Sequence, residues 1–257
     1  FVEGDKLCII MDYCDSGDLA VRIKRQREVG HGQQFPEAQV QRWLAQLIAG
    51  LDFLHAMHVL HRDIKPSSER LPPGYPRARV RGECPPHPSP RRRRADLFLH
   101  RGSELKIGDL GLSKQILAGI AGAQKHTQCG SPVYLAPEVH MSQAYDGKVD
   151  IWAAGCTLYE VMMLRRAFTG DDMEEILAKV VYAARAPRCR QPATARPPPT
   201  PPTPPPPPQQ HGPIFGDWTA ELEELLLAML RMRTKERPTA RELLTSAHLA
   251  PAVATID

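Results

Sequence analysis

Between Pro36 and Leu54 the apolar residues Val40, Trp43, Leu44, Leu47, Ile48, Leu51 and Leu54 recur three or four positions apart, which places them on one stripe of a long helix. Pro36 opens that helix, because its missing amide is one the first turn would leave unpaired. A second stripe, Ile151, Ala154, Leu158, Val161 and Met162, predicts a helix beginning at Asp150. A third starts at Thr219 and carries Leu222, Leu225, Leu226, Met229 and Leu230. Thr239-Ala240-Arg241-Glu242 has the spacing of a capping box and starts a last helix. Strand signals are shorter. Leu7 to Met11 is an apolar run followed by a Ser16-Gly17 turn signal and then a helix. Leu97-Phe98-Leu99 and Leu105-Lys106-Ile107 predict a hairpin. The pattern is that of an α+β chain with most of its core on helices, and these apolar stripes are core positions rather than a cofactor site.

Two stretches interrupt the pattern. Residues 69–95 hold eight Arg against two Glu, and residues 183–213 hold four Arg, no acid and 13 of the 26 prolines. Proline fixes φ and removes donors, so the second stretch is expected as extended polyproline II without a packed core. Both are expected to be disordered inserts, and their shared composition is also that of translated intervening sequence. The formal charge of +4 resides in them, since the remaining residues sum to −6. That distribution argues against a nucleic-acid partner. The tetra-arginine at 91–94 fits a nuclear-localisation or nucleic-acid patch, but a solvated loop accounts for it more simply.

Six cysteines lie at 8, 14, 84, 129, 156 and 189 with no Cys-x-x-Cys pair, which favours free thiols in a reducing compartment over a metal site or disulfide framework. No apolar run reaches the length of a membrane span.

Four motifs follow one another in order. They are Val59-Leu60-His61-Arg62-Asp63-Ile64-Lys65-Pro66, Lys106-Ile107-Gly108-Asp109-Leu110-Gly111, Cys129-Gly130-Ser131-Pro132-Val133-Tyr134-Leu135-Ala136-Pro137-Glu138 and Asp150-Ile151-Trp152-Ala153-Ala154-Gly155. A lone His-Arg-Asp would be read as a solvated charge run; four in sequence would not. Together they resemble the catalytic loop, metal-binding turn, activation segment and following helix of eukaryotic protein kinases. Met11 to Leu19, His61 to Ser67, Gly155 to Glu160 and Leu164-Arg165-Arg166-Ala167-Phe168 resemble the NIMA-related Ser/Thr kinases, while Cys129 to Pro132 and Tyr145 to Lys148 also resemble the autophagy-initiating kinases.

The resemblance implies a protein-kinase-like fold, ATP and Mg2+ as cofactors, and protein Ser/Thr hydroxyls as substrates. Asp63 would orient the substrate hydroxyl and accept its proton, Lys65 would reach the transferring phosphate, and Ser131 would bridge the two. Met11, Asp12, Cys14, Asp18 and Phe98 would line the nucleotide, with Met11 as gatekeeper and Asp18 near the ribose. Asp109 would bind magnesium. The second metal ligand falls at Ser68 counting forward from Asp63 and at Asp96 counting back from Asp109, and Asp96 is the expected ligand because a carboxylate suits magnesium. Thr127 would be the phosphorylated switch, received by Arg62 and Lys114. Asp150 would hold the catalytic-loop backbone, and Glu138 would pair with Arg237. His55 and His58 are read as charge complements at a helix end or packing residues, with no function.

On this reading the chain divides into the end of an N-lobe and hinge (1–14), a first part of a C-lobe (15–68), an Arg/Pro-rich insert (69–95), the C-lobe with its activation segment (96–182), a Pro-rich insert (183–213), C-terminal helices (214–250) and a tail (251–257). No Gly-rich loop or Val-Ala-Ile-Lys strand stands ahead of the motifs, so the 257 residues by themselves are expected to be inactive. A pseudokinase scaffold and an adaptor recruited through the Pro-rich tract, which would suit SH3 or WW domains, are the alternatives. The expected location is the cytoplasm, with cytoskeletal or ciliary association by family resemblance and no membrane partner.

Overall fold

The computed structural model describes residues 2–3, 6–7, 12–30, 33–66, 96–115, 131–170, 175–176, 178–179 and 218–256. Strands β1 (Val2–Glu3) and β2 (Lys6–Leu7) pair antiparallel. The predicted strand thus begins one residue early, and residues 8–11 lie outside the described residues.

Helix α1 (Leu19–Val29) starts at an N-cap, Asp18, whose carboxylate accepts the Val21 amide at 2.7 Å. Helix α2 (Glu37–Ala56) follows with Pro36 at its N-cap, one position before the first turn. Its apolar stripe is buried from Val40 to Leu51 and packs against the strands and helices that follow. A short strand β3 (Val59–Leu60) leaves α2.

Strands β4 (Leu97–His100) and β5 (Glu104–Ile107) form the predicted hairpin, in the register Leu97↔Ile107 to His100↔Glu104. Arg101 and Gly102 in its turn are both left-handed, at φ 48° and 76°. Glycine accepts that conformation without a Cβ clash. The hairpin is pinned on both sides. The Trp43 indole donates to the Ser103 carbonyl at 2.9 Å, and the Leu105 amide donates to Gln46 at 2.8 Å. From the other side Asp15 accepts the Arg101 amide and the Ser16 hydroxyl accepts the Gly102 amide, both at 2.8 Å. Strand β6 (Lys114–Gln115) pairs with β3.

After the short α3 (Pro137–His140), helix α4 (Lys148–Met163) begins two residues before Asp150, which therefore sits in its first turn. Every residue from Val149 to Tyr159 is buried. A helix apolar all round belongs inside the fold, and α4 is that helix here. Helix α5 (Ala220–Met229) packs on it so closely at Gly155 that a Cβ there would stand 2.9 Å from Leu230 Cδ2. Helices α6 (Ala240–Leu244) and α7 (Ala250–Val253) close against α2. The capping box at Thr239 forms as predicted, with Glu242 returning to the Thr239 amide at 2.7 Å.

The candidate active site

Two left-handed residues bring the chain into the site. His58 (φ 58°) turns it out of α2, β3 runs alongside β6, and Arg62 (φ 68°) turns it again just before Asp63. Asp150 in α4 holds this path, its Oδ2 accepting the His61 amide at 3.0 Å and its Oδ1 the Arg62 amide at 2.8 Å. The buried His61 ring then links the loop to the second motif. Its Nε2 lies 2.9 Å from the Gly108 carbonyl, and its Nδ1 faces the Asp63 amide at 3.4 Å. One tautomer, with Nε2 donating and Nδ1 accepting, satisfies both contacts.

Asp63 is gripped from two directions. Its Oδ1 accepts the Ser131 backbone amide at 3.0 Å, and its Oδ2 pairs with the Lys65 ammonium. The contact found between Ser131 and Asp63 thus runs through the main chain, where the sequence suggested a bridging hydroxyl. Lys65 is 4 % exposed, and its Nζ also stands 3.0 Å from an Asp96 oxygen.

Asp96 lies at the foot of the hairpin, where its carbonyl accepts the Gly108 amide at 2.8 Å. Asp109 (φ 51°) is the next residue along, so the two strands bring Asp96 and Asp109 to one end of the hairpin. Asp96 is 1 % exposed. Burial pushes its carboxyl up to about 7; the Lys65 charge opposes that push and those of Asp63 and Asp109 add to it. Asp63 and Asp109 therefore both act on Asp96, and the three carboxylates belong to one locality.

These residues fit magnesium. Neither Asp96 oxygen receives a well-directed hydrogen bond among the described residues, Lys65 approaching as an ion pair. A buried carboxylate in that state is a hard oxygen donor lacking a ligand. Magnesium takes one or two protein carboxylates and completes its shell with phosphate and water. The lack of a group of three or more metal-binding side chains among the described residues agrees with such a site.

On the nucleotide side the outcome is mixed. Asp18 and Phe98 bridge as backbone neighbours, and Asp18 Oδ1 is occupied as the α1 cap. The exposed Asp12 carboxylate pairs with Lys106 at 3.3 Å. Cys14 is half-buried, and burial raises its thiol. Phe98 lies under Gly108, where an added Cβ would meet its ring at 2.7 Å. Met11 and Ser68 lie outside the described residues, as does Thr127. The Arg62 guanidinium donates to the Leu112 carbonyl, from Nε at 2.7 Å and from Nη2. Lys114 is described by its backbone pairing with Leu60.

Two ties fasten the segment after Ser131. The Glu138 carboxylate takes Arg237 in a two-point contact at 2.7 and 3.1 Å, as expected, with the guanidinium stacked 5.1 Å over Trp152. The Tyr134 hydroxyl bonds Glu160, and burial raises both groups. The sequence reading missed this second tie. It also gave no role to His55, whose Nε2 lies 2.9 Å from Asp150 Oδ2. Nothing in the spacing of His55 marks it, because only the fold brings the end of α2 to the start of α4.

Residues 1–68 and 94–249 match the protein kinase domain. The chain belongs to the protein kinase domain family. Curated relatives of this kinase domain are Nek kinases. It is 30 % identical over 252 residues to the serine/threonine-protein kinase Nek6 of Oryza sativa subsp. japonica, covering 98 % of this chain and 36 % of that protein. It is 29 % identical to Nek4 of Mus musculus over 96 % of this chain and 24 % of the relative. It is 34 % identical to human Nek5 over 73 % of this chain and 22 % of the relative. The chain thus spans between about a fifth and two fifths of the lengths of these relatives. The resemblance to NIMA-related Ser/Thr kinases read from the motifs holds, as does the α+β kinase fold.

Proposed function

We propose that this kinase domain serves in transferring the γ-phosphate of ATP to serine and threonine hydroxyls of proteins, with Asp63 as proton acceptor. The observation that carries the reading is the two-sided grip on Asp63, by the Ser131 amide at 3.0 Å and by Lys65, beside the buried Asp96. Fixed on both oxygens, the carboxylate keeps one orientation toward a hydroxyl entering the cleft and takes its proton as the phosphoryl group moves. Lys65 supplies positive charge at the transferring group, the main demand of a loose phosphoryl-transfer transition state. Asp109 and Asp96 would hold magnesium, which when bound neutralises phosphate charge. Lys65, two residues after Asp63, supports Ser/Thr over Tyr as substrate by family resemblance.

Thr127 is proposed as the activating phosphorylation site, with Arg62 and Lys114 to receive it, and the tract at 183–213 as a docking segment for an SH3 or WW domain. The site of action is proposed as cytoplasmic and associated with the cytoskeleton or cilium, as the family resemblance implies.

The test is transfer of labelled phosphate from magnesium-ATP to Ser/Thr and Tyr peptide pools by the full-length protein, against Asp63→Asn. Labelling of Ser and Thr that Asp63→Asn abolishes supports the reading. Labelling that survives in Asp63→Asn would falsify it.

A further inference from the structure

The catalytic loop is closed on a single carboxylate, and one member of that closure has no role so far. His55 in the last turn of α2, His61 and Arg62 all donate to Asp150, at 2.9, 3.0 and 2.8 Å. Eight residues therefore leave α2 and return to the same side chain from which they are held. Asp150 is 1 % exposed, and the His55 side chain is 18 % exposed. Two non-glycine residues inside the closure, His58 and Arg62, hold positive φ. Such conformations are costly and persist only where the surroundings over-determine them.

The amides of His61 and Arg62 use both Asp150 oxygens, and His55 adds a second donor to Oδ2. A buried carboxylate turns toward the donors available to it, so the His55 bond fixes the angle at which Asp150 presents itself to the loop. The ring is held in its turn. It stands against the backbone of Gly147, where an added Cβ would lie 2.9 Å from Cε1 and Nδ1. The α2 terminus suits a donor or cation and the α4 terminus an acidic side chain, so the helix dipoles favour the same pairing.

We infer that His55 is a positioning residue for phosphoryl transfer, acting through Asp150 to set the backbone of His61 and Arg62 and thereby the carboxylate of Asp63. The inference rests on the proposed kinase function for its kinetic consequence and on the fold alone for its structural one. His55 touches neither nucleotide nor metal ligand, so its loss should lower kcat and leave KM for ATP and for peptide within about twofold.

The test uses the full-length protein with three variants, His55→Ala, His55→Gln and Gly147→Ala. Hydrogen exchange at the His61 and Arg62 amides is read first, because it needs no activity. His55→Ala and Gly147→Ala are expected to speed that exchange at least about tenfold while amides within α4 stay protected. His55→Gln, which keeps a donor at similar reach, is expected to recover most of the protection. In the phosphotransfer assay kcat should follow the same order. Unchanged exchange at His61 and Arg62 in His55→Ala overturns the inference whether or not the protein is active. Altered exchange with no activity in the parent protein supports the positioning contact and overturns the kinase reading instead. Equal loss of protection across α4 and the loop would make His55 a general stability residue, and would also overturn it.

Discussion

Lys65 and Asp96 are 31 residues apart in the chain, yet Lys65 Nζ lies 3.0 Å from an Asp96 carboxylate oxygen. The same ammonium pairs with Asp63, so one cation joins the proposed proton acceptor to the proposed second metal ligand. That is the arrangement expected if Asp96, beyond the Arg/Pro-rich stretch, completes the metal site.

Asp96→Ala should therefore raise the magnesium concentration for half-maximal phosphotransfer by about tenfold or more, and Asp96→Asn, which keeps an oxygen donor, by much less. Magnesium needs the ionised carboxylate, and burial holds the Asp96 carboxyl up at about 7. Its apparent affinity should weaken by about tenfold per pH unit as the pH falls below that value. In the metal-free protein the linkage has the opposite sign. The raised carboxyl contributes stability in full below the ordinary carboxylate range and loses it as pH rises to about 7. Magnesium titrations at pH 6, 7 and 8 on parent and Asp96→Asn would check both statements, and a pH-independent midpoint would exclude Asp96 as a ligand.

The Glu138–Arg237 pair offers a sharper stability test. Both side chains are buried, at 3 % and 0 % exposed, and Arg237 also donates to the Lys148 and Arg231 carbonyls. Removing one partner strands the other charge in the interior, which costs about 3–5 kcal/mol. Arg237→Ala should lose that much in denaturant unfolding, and Arg237→Lys should lose most of it, because an ammonium cannot reproduce the planar two-point grip or the contact over Trp152. A loss under about 1 kcal/mol in Arg237→Ala would mean that Glu138 finds another partner.

Gly155→Ala tests the packing of α4 on α5. The new methyl would stand 2.9 Å from Leu230 Cδ2 and 3.1 Å from both Leu230 Cγ and Met229 Cβ, inside ordinary contact distance. In the middle of a helix alanine is otherwise preferred to glycine by about 0.8–1 kcal/mol. Overpacking of this kind costs about 1–3 kcal/mol, so the net effect should be destabilising. The melting temperature should fall, and recover when Leu230→Ala is added.

Much of this was legible in the sequence because it depends on short-range rules. The α2 stripe, the hairpin, the Thr239 capping box and the order of the four motifs each follow from neighbours within a few positions. The starts of α4 and of the first strands were misplaced by one or two residues, because Lys148 and Lys6 give no apolar signal. What could not be read were contacts decided by where helices end in space. His55 to Asp150 and Tyr134 to Glu160 join residues 95 and 26 positions apart with no period between them. The Ser131 contact was misread for a related reason: sequence names the side chain, but the contact found is made by the backbone amide.

His140 closes α3 with a buried ring, 8 % exposed, whose Nε2 lies 3.1 Å from the Pro132 carbonyl. Burial lowers its pKa from the usual 6.5, and the Pro132 contact and the Glu138 charge only partly offset that. The sign follows from which state binds the proton more readily. Below 6.5 the unfolded chain is protonated at this ring while the folded protein resists it, so stability is present above 6.5 and declines as the pH falls through the lowered folded value. Asp96 drives stability the other way over part of the same range, so total stability against pH does not isolate His140. The difference between parent and His140→Asn does. Asparagine keeps a donor for the Pro132 carbonyl and takes on no charge, so the variant should gain on the parent as the pH falls from 7 to 5. Urea unfolding of both proteins across that interval measures the difference. A constant gap would show that the ring is protonated in the folded protein as easily as in the unfolded chain.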